Sequence, residues 1–121
     1  MISKNRYLSN QKWEQLLKAL PYHLPTNVIG HSVLNQPIYA HLLGKGPKKV
    51  LLWSQMHGNE STTTRALLDL FDHLHSISGA PLLEGLTLLI IPQLNPDGSS
   101  SYTRLNTNNI DLNRDALDLS Q

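Results

Sequence analysis

The chain of 121 residues contains no cysteine. That excludes a disulfide framework, a thiolate metal site and a cysteine nucleophile. It also lacks an excess of either charge. Ten Lys and Arg stand against nine Asp and Glu, for a net charge of +1. This argues against a polybasic nucleic-acid binder and against an acidic tail. No apolar run approaches the ~20 residues needed to span a bilayer. The first ten residues are polar and lack the apolar stretch of a secretory signal. The expectation is a cytoplasmic protein with neither nucleic acid nor membrane as partner. Apolar residues nevertheless make up 40% of the chain and charged residues only 16%, which is not the composition of a disordered segment. The length fits a single domain, residues 1–121.

Trp13, Leu16, Leu17 and Leu20 fall at i, i+3, i+4 and i+7, one apolar face of a short helix. Ser9 or Asn10 caps its start, and Pro21 and Pro25 stop it. Two β-prone runs, 28–34 and 37–43, flank Asn35-Gln36 and predict an antiparallel hairpin, since Asn tolerates positive φ. Residues 49–54 are apolar without alternation and predict a buried strand. Leu67, Leu70, Phe71 and Leu74 predict a helix, with Asn59 as its cap and Glu60 in its first turn. Residues 86–92 predict a second apolar strand. The fold class is α/β: a mixed sheet with a parallel βαβ core, helices packed on it and an N-terminal antiparallel hairpin. Asn95-Pro96-Asp97-Gly98 reads as a turn, and a long polar loop follows from Ser99. A loop of that length is often functional.

His57 and Glu60 stand where the predicted strand hands over to the helix, the end of an open α/β sheet where ligands bind. The three-residue spacing lets an imidazole and a carboxylate point at one ion, and Gly58 permits a tight turn between them. Zinc accepts His and Glu together. The bland alternative is a solvated turn with a Glu favouring the helix dipole. Residues 104–114 (RLNTNNIDLNR) concentrate Arg104, Arg114 and four asparagines. An arginine fork suits a carboxylate, although an exposed polar loop has the same composition. Asp111-x-Asn113-x-Asp115 copies the start of a calcium loop, but Ala116 stands where that loop needs Gly, so it is rejected. Ser9-x-x-Lys12 matches a nucleophile motif without its companions and reads as a cap. His73 and His75 sit near a helix C-terminus, which favours protonated His. His31 and His41 read as hairpin histidines, and His23 has no clear role.

Together, His57-Gly58-Asn59-Glu60, Asn95-Pro96-Asp97-Gly98, Thr103-Arg104-x-Asn106 and Asp111-Leu112-Asn113-Arg114 resemble the first half of an M14-type zinc carboxypeptidase. The resemblance covers residues 48–114. It implies an incomplete half of such a domain, with His57 and Glu60 as two of three zinc ligands. It implies that Arg104 stabilises the oxyanion of a peptide substrate and that Asn113 and Arg114 grip its terminal carboxylate. Asn109 stands where family members carry Gly, and Asp115 where Asn is common. The third ligand, a His, and the general base, a Glu, come well after the Asn-Arg pair in the family. They are expected beyond Gln121. His73 does not substitute, because thirteen residues of straight helix beyond Glu60 span roughly 20 Å. The chain is therefore expected to hold metal weakly and to be inactive by itself. An unfinished sheet is also expected to expose an apolar edge and invite self-association. Two other functions fit the same residues: a deacylase of the succinylglutamate desuccinylase and aspartoacylase kind acting on N-acyl amino acids, and a non-catalytic carboxylate- or peptide-binding module.

Overall fold

In the computed structural model, which describes residues 7–115, Ser9 caps the first helix. Its hydroxyl accepts from the Lys12 amide at 3.3 Å, and α1 runs Asn10–Lys18. Trp13 is the buried anchor of this helix. The chain then forms β1 (Asn27–His31), β2 (Pro37–Leu43), β3 (Lys48–Trp53), α2 (Thr62–Leu74), α3 (Leu82–Gly85), β4 (Leu86–Ile91) and α4 (Pro96–Ser101). The strands form one sheet in the order β1-β2-β4-β3. β3 and β4 run parallel, with Val50 beside Leu88, while β2 pairs antiparallel with both β1 and β4. This is the mixed α/β sheet, parallel βαβ core and N-terminal hairpin that the pattern predicts.

One face of the sheet carries the core. Leu43, Leu88 and Ile90 meet Leu67, Leu68, Phe71 and Leu74 of α2 and Trp13 of α1. Each such side chain, fully buried, contributes about 1.5–3 kcal/mol. The opposite face is open, with Leu42, Leu51, Trp53 and Leu89 exposed. The expectation of a buried β3 is therefore corrected: only Leu52 packs against the core. β3 is the last strand of the sheet, and α2 covers one face only. An apolar run reports strand character but not which faces are covered.

Two further boundaries differ from expectation. β1 stops at His31 rather than continuing to Leu34, and residues 32–36 form the turn, with Asn35 at φ 62 as expected for Asn. The Asn95-Pro96-Asp97-Gly98 turn is the start of α4. Asn95 caps it by accepting from the Gly98 amide at 2.9 Å, and Pro96 occupies the first helical position. Asp97 explains both. Its carboxylate, 2% exposed, accepts from Ser32 Oγ at 2.7 Å, Leu34 N at 3.1 Å, Gln36 Nε2 at 3.0 Å and Thr107 Oγ1 at 3.0 Å. A buried carboxylate must be satisfied in this way, and it pins the hairpin turn and the distal loop to α4.

His41 is wholly buried, edge-on to Phe71 with ring centroids 5.3 Å apart. Thr26 Oγ1 spends its proton on the Leu24 carbonyl, and the Pro25 carbonyl can only accept. Nδ1 therefore carries the ring proton, and Nε2 is buried without a partner. Burial lowers the His41 pKa below 6.5. As pH falls through 6.5 the unfolded chain binds this proton first, so stability is full above that value and is lost as pH drops through the lowered folded-state value. Urea unfolding between pH 7 and 5 should show this loss, and His41→Leu should flatten it. Equal slopes in the two proteins would count against the buried neutral imidazole.

Candidate active site

The chain leaves β3 through a sharp elbow. Ser54 N donates to the Ile91 carbonyl and Leu94 N to the Ser54 carbonyl, both at 3.0 Å, which ties the elbow to the end of β4. Gln55 follows in the left-handed region at φ 45 and is buried. Its amide Nε2 donates to the Gly58 carbonyl at 2.7 Å and to Ser99 Oγ at 3.1 Å. Its Oε1 accepts from Gln93 Nε2 at 2.7 Å and Thr64 Oγ1 at 2.8 Å. The hydroxyl of Tyr7 donates toward the carbonyls of Gly58 and Ser99. This buried polar network lies under the turn that holds His57 and Glu60 and was not anticipated from the sequence.

His57 to Glu60 form a turn closed by the Glu60 amide on the His57 carbonyl at 3.1 Å. Helix α2 starts only at Thr62, with Ser61 at the cap position. The expected Asn59 cap is thus corrected, and Glu60 stands ahead of the helix rather than in its first turn. Gly58 is required for a reason other than turn conformation. A Cβ there would lie 2.0 Å from the Gly98 carbonyl carbon, so the elbow presses directly on α4.

That contact brings the distal loop over the elbow. His57 Nε2 lies 2.9 Å from Asp111 Oδ1. The carboxylate can only accept, so Nε2 carries the proton. His57 Nδ1 faces Glu60 Oε1 at 3.3 Å. Arg104 Nε donates to Asp111 Oδ2 at 3.1 Å, and its Nη1 stands 3.5 Å from Glu60 Oε1. Bonds from His57, from the Asn113 amide and from Arg104 pull the Asp111 pKa down to about 2. Half of the Arg104 side chain remains in solvent, at 46% exposure, which leaves N–H groups free for a substrate oxygen. A cleft of about 630 Å³ opens beside it, lined by Leu34, Leu105, Asn106, Thr107 and Asn109.

Three of the predicted residues, His57, Glu60 and Arg104, therefore converge. Asn113 and Arg114 stand exposed on the turn that Asp111 begins; the Arg114 amide donates to the Asp111 carbonyl at 2.8 Å, and its Nη1 to the Asn113 carbonyl at 3.2 Å. They bond neither His57 nor Glu60. Asp111 itself was missed as a partner of His57. The available signal was its side-chain bond to the Asn113 amide, the local turn that Asp-x-Asn favours. The two carboxylates flank opposite nitrogens of one ring, so they do not share an ion with it. Among the described residues, no group of three or more His, Asp or Glu side chains could hold a metal. Asn109 adopts φ 61, the left-handed position where Gly was the expected family residue.

The family model described as zinc carboxypeptidase, Peptidase M14, matches residues 10–118. The chain belongs to the M14 zinc carboxypeptidase family. Among its relatives, a gamma-D-glutamyl-L-diamino acid endopeptidase 1 of Lysinibacillus sphaericus is 35% identical over 95 residues, covering 70% of this chain and 24% of the relative. Carboxypeptidase 2 of Trichophyton rubrum is 36% identical over 78 residues, covering 61% of this chain and 14% of its own length. A metallo-carboxypeptidase structure from Burkholderia cenocepacia superposes with a TM-score of 0.78 at 24% identity, over 93% of this chain and 34% of that one. At that identity the likeness shows the fold alone. The chain spans about a third or less of the length of these proteins.

The elbow's dependence on Gly58 is directly testable. Gly58→Ala should separate the elbow from α4 and lower stability by about 1–3 kcal/mol, read by urea unfolding, with His57 and Asp111 side-chain resonances shifting together. Unchanged stability and resonances would contradict the close contact.

Proposed function

We propose that this chain carries half of the active site of a zinc-dependent hydrolase that removes C-terminal residues from peptides, and that residues 1–121 act as one unit, the N-terminal part of such a domain. The observation that supports it best is the 3.3 Å separation of His57 Nδ1 and Glu60 Oε1. Two ligands on a tetrahedral zinc with bonds of about 2.0–2.1 Å stand about 3.3–3.4 Å apart. The donor set suits zinc, and the orienting carboxylate is in place, since Asp111 holds the His57 proton on Nε2 and turns the Nδ1 lone pair toward Glu60. The chemistry zinc would supply there is Lewis acidity toward a carbonyl and a lowered pKa for water.

The chain's own residues divide the remaining work. Arg104 is oriented by Asp111 and Glu60 and donates to the oxygen that becomes negative as the peptide carbonyl is attacked. Loss of such a donor costs on the order of 10²–10³ in rate. Asn113 and Arg114 grip the substrate's terminal carboxylate, which would limit cleavage to the last residue. That assignment distinguishes a carboxypeptidase from an endopeptidase, the activity named for the Lysinibacillus sphaericus relative. A third ligand and a general base must come from outside residues 7–115.

Two measurements test this reading. Calorimetry should find zinc binding to this chain weaker than micromolar, and His57→Ala or Glu60→Gln should abolish it. A nanomolar one-to-one site would contradict a two-ligand centre. On a protein that joins this chain to the remainder of a relative-length catalytic domain, release of the last residue from peptides should be detected and should fall by about 10²–10³ in Arg104→Ala. Cleavage of N-acyl amino acids alone would favour the deacylase, and no cleavage of either would favour a binding module.

A further inference from the structure

We propose that Tyr7, in the segment ahead of α1, is a positioning residue for the candidate active site: it clamps the turn that carries His57 and Glu60 to the helix end that leads into Arg104. What the aimed groups then do rests on the hydrolase reading above; that Tyr7 aims them does not. Gly58 follows His57 directly, and its carbonyl accepts from the Tyr7 hydroxyl at 3.1 Å. The same hydroxyl meets the Ser99 carbonyl in the last turn of α4. One phenol proton is thus shared by two carbonyls from distant segments, on either side of the contact between Gly58 and Gly98. The Ser99 carbonyl is open to it for a local reason. Tyr102 adopts φ 57, so the helix ends there, and the amides of Tyr102 and Thr103 both turn to the Gly98 carbonyl. In a continuing helix the Thr103 amide would have bonded Ser99. The Tyr7 hydroxyl supplies a donor in its place.

The Tyr7 ring acts on the residues that follow α4. It stands edge-on to the Tyr102 ring, with centroids 4.7 Å apart and planes at 78°, a geometry that aromatic pairs favour. A left-handed backbone is unfavourable for so bulky a residue and persists only when its surroundings hold it. Tyr102 is 64% exposed, and the Tyr7 ring packs against it. This turn sends the chain from α4 back over the elbow, with Arg104 just after it and Asp111 further along the same loop. The residues next to Tyr7 hold it in place. Leu8 is buried; its amide donates to Ser61 Oγ at 3.0 Å. The Leu8 carbonyl accepts from Gln55 Nε2 and Ser99 Oγ at 3.3 Å and from Gln93 Nε2 at 3.4 Å. Asn10 Nδ2 donates to Gln36 Oε1 at 2.8 Å, and the Gln36 amide group donates on to Asp97. The segment is therefore fastened to the elbow, to α4 and to the hairpin turn, and the phenol is set where both carbonyls are within reach.

Hydrogen exchange in the zinc-free chain reads the aim directly. The His57 Nε2 proton lies on one oxygen of Asp111 and the Arg104 Nε proton on the other. Tyr7→Phe keeps the ring and removes only the hydroxyl. It should speed exchange of both protons by about five- to tenfold, the weight of one hydrogen bond, while the amides of Leu67 and Leu68 in α2 exchange as before. Tyr7→Ala, which also removes the ring contact, should speed both further. Tyr22→Phe removes a hydroxyl bonded to Asp72 near the C-terminal end of α2 and should leave both protons unchanged. Unchanged exchange in Tyr7→Phe, or a rise matched by the α2 amides, which marks a loss of overall stability alone, would overturn the proposal. Should Tyr7→Phe not fold, Tyr102→Ala decides: its side chain is exposed, and Arg104 exchange must rise in it or the proposal fails. The zinc and peptide assays above are separate. Their failure beside altered exchange would remove the hydrolase reading and leave the clamp.

Discussion

The contact between Gly58 and Gly98 is what the rest of the site depends on. The elbow after β3 and the helix after β4 come from segments forty residues apart, and they touch with no side chain between them. The parallel β3–β4 pairing delivers both to the same end of the sheet. Gln55 and Tyr7 donate to the Gly58 carbonyl, Tyr7 also faces the Ser99 carbonyl, and Gln55 and Gln93 donate to Ser99 Oγ beside the contact. Without that approach, the loop carrying Arg104 and Asp111 has no fixed distance from the turn carrying His57 and Glu60.

Three charged side chains and one imidazole close a ring at the top: Glu60 beside Arg104, Arg104 beside Asp111, Asp111 beside His57, and His57 back to Glu60. Glu60 is 62% exposed. Its pairs are worth little to stability in water, so their role is orientation. Asp111 has the larger positioning role. One of its oxygens directs the imidazole, the other directs the guanidinium, and its first oxygen also takes the Asn113 amide that begins the next turn. One carboxylate thus sets the aim of the candidate ligand, the candidate oxyanion donor and the candidate carboxylate grip.

The elements were legible in the sequence wherever local periodicity governed them. Trp13 and Phe71 lie on the apolar faces that their spacing predicts, and His57 and Glu60 stand where a strand gives way to a helix. What was not legible depends on contacts distant in sequence. Asp97 reads as a turn residue, yet it is a buried hub for groups sixty or more residues away in the hairpin. Gln55 gives no local sign of its positive φ. Asn59 is as good a cap by type as Ser61, and the difference is made by the His57–Glu60 turn. β3 has the composition of a covered strand, and its exposure follows from its place at the end of the sheet order.

The central claim is that His57 Nδ1, with its proton held on Nε2 by Asp111, turns a lone pair toward Glu60 so that both address one cation. Long-range proton–nitrogen correlation of the His57 ring during a zinc titration tests it at the atom concerned. The account predicts that Nδ1 moves to the metal-bound range while Nε2 stays protonated. Metal on Nε2, or a ring unaffected by zinc that binds elsewhere on the chain, would contradict it.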